Sequence, residues 1–187
     1  MLALVAALKP LPALALALLA WRGEAPRLLA VGLVFAALGD ALLLGRGDTW
    51  FLAGMLAFAA MHLCYIAAFA RAGHPLPWKA KGFVGAYVAA LVGNLVLLVP
   101  HAGPMRLPLV VYSALLVAMA SMSLRVGLLA GIGGALFMAS DTLLAFAKFA
   151  PAFPLAPSLA QALVLVTYYA AQLLIVTGML RAKPTAS

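Results

Sequence analysis

Seven apolar runs, each about as long as the hydrocarbon core of a bilayer is thick, dominate this chain. They cover residues 4–21, 27–45, 51–70, 82–100, 106–124, 127–149 and 157–181. Between them, breakers and charges coincide, as in Arg22-Gly23-Glu24, Gly45-Arg46-Gly47-Asp48, Gly73-His74-Pro75 and Pro100-His101-Ala102-Gly103-Pro104. In hydrocarbon the backbone must satisfy its own hydrogen bonds, which over runs of this length means helices. The expected fold is therefore all-α: a polytopic transmembrane bundle of seven helices, forming one domain over residues 1–187. Lys9-Pro10 interrupts the first run and no positive stretch precedes it, so it reads as a retained span rather than a signal peptide.

Composition agrees. Of 187 residues, 67% are hydrophobic and only 9% charged, outside the range of a soluble domain. The net charge of +8 is scattered singly over short connections, with no basic block or polar domain to hold nucleic acid. Cys64 is the only cysteine and lies in an apolar run, so no internal disulfide forms.

The basic residues instead report orientation. Arg22, Arg27, Arg71, Lys79, Lys81, Arg125, Arg181 and Lys183 fall on one side, and Arg46, Arg106 and Lys148 on the other. Positive residues favour the cytoplasm, which puts the N-terminus outside and the C-terminus inside. The Ala- and Leu-rich composition points to a bacterial cell membrane. Trp21 and Trp50 sit at span ends as interfacial anchors, and Trp78 lies in a connection.

The residues that a bilayer should exclude carry the functional signal. Only four acidic residues exist, and Asp40 and Asp141 are within spans, where a charge costs about 3 kcal/mol on insertion scales. His62, Tyr65, Asn94, Tyr112, Ser140, Tyr168, Tyr169 and Gln172 are also intramembrane. With spans alternating in direction, Asp40, Asn94, Tyr112, Asp141, His62 and Tyr168 share a layer roughly 8–17 Å below the outer surface, at about 1.5 Å per residue. Lys9 lies in the same half. His62 and Tyr65 are three apart and Tyr168 and Gln172 four apart, so each pair shares a helical face. A polar cavity opening toward the outer leaflet explains this layer. Gly54, Ala57, Gly131, Gly134 and Ala135 mark places for close helix approach.

Simpler roles compete for each residue. Asp40 paired with Lys9 would be structural, His62 could be a packing histidine, and Tyr168 with Tyr169 could bridge helices. Asn94 and Tyr112 read as interhelical glue. No phosphate-cradling loop, dinucleotide fingerprint or nucleophile elbow is present. A metal site needs three good ligands; Asp40, His62 and Asp141 make a minimal set, ranked below a metal-free site.

Lys9-Pro10-Leu11, Gly39-Asp40, Phe51…Gly54…His62…Tyr65, Ser140-Asp141 and Tyr168-Tyr169-Ala170-Ala171-Gln172 together resemble the YhhN family of polytopic membrane proteins, over nearly the whole chain. Members typically have eight spans, one of them before the Lys-Pro motif. Only eight residues precede Lys9 here, so seven are expected.

The resemblance implies lysoplasmalogenase activity: hydrolysis of a vinyl ether to a fatty aldehyde and a glycerophospho-ethanolamine or -choline. Protonation of the outer alkene carbon gives an oxocarbenium ion, water adds, and the hemiacetal collapses. The step needs an acid that is protonated at neutral pH, and a carboxyl group shut away from water favours its neutral form. A second carboxylate stabilises the cation and deprotonates water. Asp40 and Asp141 are assigned to this pair and His62 to orienting water or relaying a proton. Lys9, Tyr65, Ser140, Tyr168 and Gln172 are assigned to substrate binding, Lys9 facing the lipid phosphate. No cofactor or metal is expected, and the partners are a lysophospholipid and the bilayer. The competing classes are a proton-linked transporter, which would need polar groups through the inner half as well, and a metal-dependent seven-helix lipid hydrolase.

Overall fold

A computed structural model describes residues 8–23, 25–72 and 74–182. Among them are seven α-helices and no strand: α1 (Pro10–Arg22), α2 (Arg27–Leu42), α3 (Asp48–Ala72), α4 (Lys81–Leu98), α5 (Arg106–Ser123), α6 (Leu128–Phe149) and α7 (Pro157–Arg181). The chain is an all-helical membrane bundle. Five stretches are long and apolar enough to cross a bilayer: Asp48–Arg71, Trp78–His101, Gly103–Ser123, Leu128–Phe149 and Pro157–Arg181. α1 has 13 residues and ends one residue past the run 4–21, and α2, with 16, is shorter than the run 27–45 that contains it. Part of the first run, residues 4–7, and Lys183 lie outside the described residues.

Local chemistry sets several ends. Pro10 opens α1 at a position where its missing N–H costs nothing. Leucine turns follow α2, and Gly47, with φ of 94°, takes the left-handed conformation that lets α3 start at once. Gly127, with φ of 145°, does the same between α5 and α6.

Six helices form a closed ring. α1 packs on α2, α2 on α3, α3 on α5, α5 on α6, α6 on α7, and α7 returns to α1. α4 stands outside the ring and leans mainly on α5. Water does not drive helices together inside a bilayer, so close packing must hold the ring. α1 presents an alanine stripe, Ala13, Ala17 and Ala20. The closest approach is between α6 and α7. A Cβ on Gly133 would lie 2.8 Å from the Ala171 carbonyl oxygen, and one on Gly178 would lie 2.7 Å from the Ala130 nitrogen. Gly134 likewise faces Ser123 and the Ala120 backbone of α5.

The ring brings its polar residues inward. Asp40 is 6% exposed near the end of α2, and His62 and Gln172 are fully buried. Aromatic rings pack among them: Phe58 and Phe137 both meet Tyr168 edge-on, at 5.8 and 5.5 Å, and Phe137 also meets His62 at 5.2 Å.

Candidate active site

Two carboxyl groups face the interior, and each is held by a tyrosine from another helix. Tyr168 of α7 donates its hydroxyl proton to Asp40 Oδ2 at 3.0 Å. One turn on, Gln172 Nε2 donates to the Tyr168 oxygen at 3.4 Å and to Met61 Sδ at 3.6 Å. Gln172 Oε1 in turn accepts the hydroxyl of Tyr65. All three donors point the same way, so the chain Tyr65–Gln172–Tyr168 delivers its polarity to Asp40. In a low-dielectric interior such aligned bonds reinforce one another.

The second carboxyl has a different partner set. Tyr112 of α5 donates to Asp141 Oδ2 of α6. His62 Nε2 of α3 lies 3.2 Å from that tyrosine oxygen and 3.8 Å from Asp141 Oδ2. A phenol has one proton, and here it goes to Asp141. With Tyr112 so committed, His62 Nε2 must carry a hydrogen and donate. His62 Nδ1 is buried without a partner. His62, Tyr112 and Asp141 thus form one line of contacts joining α3, α5 and α6.

Both carboxyl groups line one cavity of about 530 Å³. Lys9, Phe153, Leu155 and Gln161 stand at the end where α1 begins and the α6–α7 connection passes. Asp40, Asp141, Tyr112 and Tyr168 stand on its inner walls. Beside it runs a narrow crevice of about 50 Å³ between α3, α4, α5 and α6. Leu43, Phe51, Phe58, Tyr112, Asp141 and Leu144 line both spaces. Asp141 and Tyr112 therefore occupy the wall between the wide chamber and a narrow, mostly apolar crevice that also carries Asn94, Ser113 and Thr142.

Lys9, Asp40, Asp141, Ser140 and Tyr168 all reach the wide cavity. His62 touches Asp141 through Tyr112. Tyr65 and Gln172, expected to meet substrate, are absent from both linings and fully buried; they are a layer behind Tyr168. The Ser140 hydroxyl, also expected to meet substrate, instead donates to the Val164 carbonyl at 3.0 Å, tying α6 to α7. Among the described residues the lysine–carboxylate contact at ion-pair distance is Lys148–Asp48, so the Lys9–Asp40 pair is not formed. Tyr169 binds the Lys9 carbonyl at 2.8 Å, fixing the start of α1 against α7. Asn94 donates to Thr142 at 3.1 Å, joining α4 to α6.

Tyr112, read as interhelical glue, does join α5 to α6 and α3, and it also lines both spaces. Its depth placed it in the polar layer, but no polar residue one turn away marked its helical face; only the fold puts it on Asp141. Among the described residues no three His, Cys, Asp or Glu side chains gather as a metal-ligand set.

A ring of apolar helices enclosing two tyrosine-bound carboxyl groups beside a lipid-sized chamber defines a class, an integral membrane protein with a buried polar site. The chain belongs to the YhhN family, whose model matches residues 4–179. It is 39% identical over 181 residues to lysoplasmalogenase TMEM86B of Homo sapiens, covering 94% of this chain and 75% of that protein. It is 38% identical over 161 residues to lysoplasmalogenase TMEM86A of Bos taurus, covering 78% and 62%. It is 35% identical over 162 residues to a lysoplasmalogenase of Mycobacterium tuberculosis, covering 78% and 60%. No solved structure matches the chain.

Proposed function

We propose that this protein is a lysoplasmalogenase: an integral membrane hydrolase that cleaves the vinyl ether bond of a lysoplasmalogen, releasing a fatty aldehyde and a glycerophospho-ethanolamine or -choline. One observation carries the reading. Asp40 and Asp141 come from distant parts of the chain, each accepts a hydrogen bond from a tyrosine, and both open onto the same 530 Å³ cavity. A vinyl ether needs one acid to protonate its alkene and one base for the attacking water. Paired carboxyl groups supply both and stabilise the intervening cation. The names and identities of the relatives support the same chemistry.

The remaining residues take roles that follow from their places. Lys9, half-buried at the cavity mouth, neutralises the lipid phosphate. Tyr112, backed by His62, holds Asp141 in one orientation. Tyr168, backed by Gln172 and Tyr65, holds Asp40 in one orientation. With the N-terminus outside, as the distribution of Lys and Arg indicates, the mouth opens in the outer half of a bacterial cell membrane and admits a single-chain lipid from that leaflet.

The test is incubation of purified protein with lysoplasmenyl-ethanolamine and detection of free aldehyde. In heavy water, carbon protonation places one deuterium on the carbon next to the aldehyde, read by mass spectrometry after immediate trapping. Release of aldehyde without that deuterium rules out protonation of the alkene. Absence of aldehyde from all lysoplasmalogens overturns the assignment.

A further inference from the structure

We infer that the narrow crevice between α3, α4, α5 and α6 is the seat of the alkenyl chain, and that it orients the substrate so that Asp141 protonates the alkene while Asp40 serves the attacking water. This rests on the lysoplasmalogenase reading and adds the direction in which the lipid lies.

The two spaces differ in chemistry. The wide cavity carries Lys9, Asp40 and Gln161, groups suited to a phosphate, a glycerol hydroxyl and water. The crevice is lined mostly by apolar side chains, Leu91, Leu116, Val117 and Met138 among them; besides Tyr112 and Asp141 its polar residues are Ser113 and the mutually bonded Asn94 and Thr142. A lysolipid has the same division: a polar head, a single hydrocarbon chain, and the ether between them. Asp141 and Tyr112 line both spaces, whereas Asp40 lines only the wide one. A chain in the crevice with its head in the cavity sets the ether bond at that shared wall.

The crevice is tight, about 50 Å³ against 530 Å³. Its outer wall is the helix most easily displaced. α4 lies outside the ring, and Leu98 is its only buried residue. Its polar tie to the ring among the described residues is the Asn94–Thr142 bond. A chain entering from the bilayer parts α4 from α5 and α6 and exchanges lipid contacts for protein contacts of equal polarity, so little free energy opposes it. A second chain would have to fit the same slot, which explains a preference for lysolipids.

The orientation determines the proton traffic. The outer alkene carbon is on the chain side of the bond and so faces Asp141. The alkene electron pair takes the Asp141 proton, forming a C–H bond and leaving the oxocarbenium ion and the Asp141 carboxylate. Water adds to the carbon attached to oxygen and gives its proton to Asp40. In the collapse, the new hydroxyl returns a proton to Asp141, the bond to the glycerol oxygen breaks, and Asp40 protonates that oxygen. Both carboxyl groups end as they began.

The experiment uses the full-length protein and a non-hydrolysable alkyl ether lysolipid with a photoreactive diazirine at the chain end. Crosslinks at Leu91, Val117 or Met138 are expected; crosslinks confined to Phe153, Leu155 or Pro157 overturn the proposal. The second arm substitutes Leu91, which lies on the loosely packed helix and so tolerates change. Leu91→Trp should lower kcat/KM for a hexadecenyl substrate about tenfold relative to an octenyl one, and Leu97→Trp, on the exposed side of the same helix, should not. An unchanged chain-length ratio in Leu91→Trp also overturns it. If the wild-type protein hydrolyses nothing, the catalytic reading fails, and the crosslink positions still decide where the chain binds.

Discussion

Tyr112 gives its one hydroxyl proton to Asp141 and so obliges His62, 3.2 Å away, to donate to the same oxygen. The tyrosine is the only direct link between the histidine and the carboxyl group, since His62 Nε2 is itself 3.8 Å from Asp141, beyond hydrogen-bond reach. Tyr112→Phe should therefore lower kcat about tenfold or more while leaving KM nearly constant. His62→Gln should do the same. Because both act along one line, the double variant should be no worse than the poorer single one, measured as a double-mutant cycle on kcat/KM. Additive losses would show that the two residues act separately.

The carboxyl groups carry the chemistry in this account. Asp40→Asn and Asp141→Asn keep shape and hydrogen-bonding capacity but lose the acid. Each should reduce aldehyde release by a factor of about 100 or more, the usual worth of a positioned acid or base. Thermal unfolding in detergent should change little, because the asparagine carbonyl still accepts the Tyr168 or Tyr112 hydroxyl. Near wild-type turnover in both variants ends the mechanism.

Tyr65 and Gln172 act from behind the cavity, so their loss should appear in stability before binding. Tyr65→Phe leaves Gln172 Oε1 buried with no donor, at a cost of about 1–3 kcal/mol. The expected readout is a lower Tm, a reduced kcat as Tyr168 loosens around Asp40, and an unchanged KM. A raised KM with an unchanged Tm would mean that Tyr65 touches the lipid after all.

Lys9 is at the mouth and forms no ion pair with Asp40. Lys9→Gln should raise KM several-fold, with kcat and Tm nearly unchanged, and the loss should shrink at high salt, where a half-buried charge at the mouth is already screened. A collapse of kcat would instead place Lys9 in the chemistry.

The α6–α7 contact should be the least forgiving place in the bundle. A side chain on Gly178 would press on the Ala130 backbone at 2.7 Å, and backbone cannot rotate away. Gly178→Leu should yield little folded protein, whereas Gly93→Leu on α4, where nothing lies within 4 Å, should fold normally. Expression and size-exclusion profiles in detergent decide this.

The polar residues of the site stood out in the sequence because apolar runs expose every intruder. A carboxyl, an imidazole or an amide in hydrocarbon is costly enough to need a reason, and a rise of 1.5 Å per residue converts each position to a depth. That is how Asp40, His62, Asp141 and Tyr168 were found together, and how an all-helical membrane bundle was legible from the spacing of charges and breakers. Helical periodicity also paired Tyr168 with Gln172, whose 3.4 Å bond exists.

Depth and periodicity say nothing about which helix neighbours which, and there tertiary structure alone decided. Ring order put α5 between α3 and α6, which turned Tyr112 into the partner of Asp141 and sent α4, with Asn94, to the outside. It placed Gly133 and Gly178 at the α6–α7 crossing and Gly134 at the α5–α6 one, whereas a Cβ on Gly131 would meet only Leu124. It directed the Ser140 hydroxyl to a backbone carbonyl and put Tyr65 behind Gln172 rather than before the lipid. The physical reason is the absence of a hydrophobic gradient inside a bilayer: every face of an apolar helix is equally soluble there, so only side-chain shape and the pairing of buried polar groups choose its neighbours.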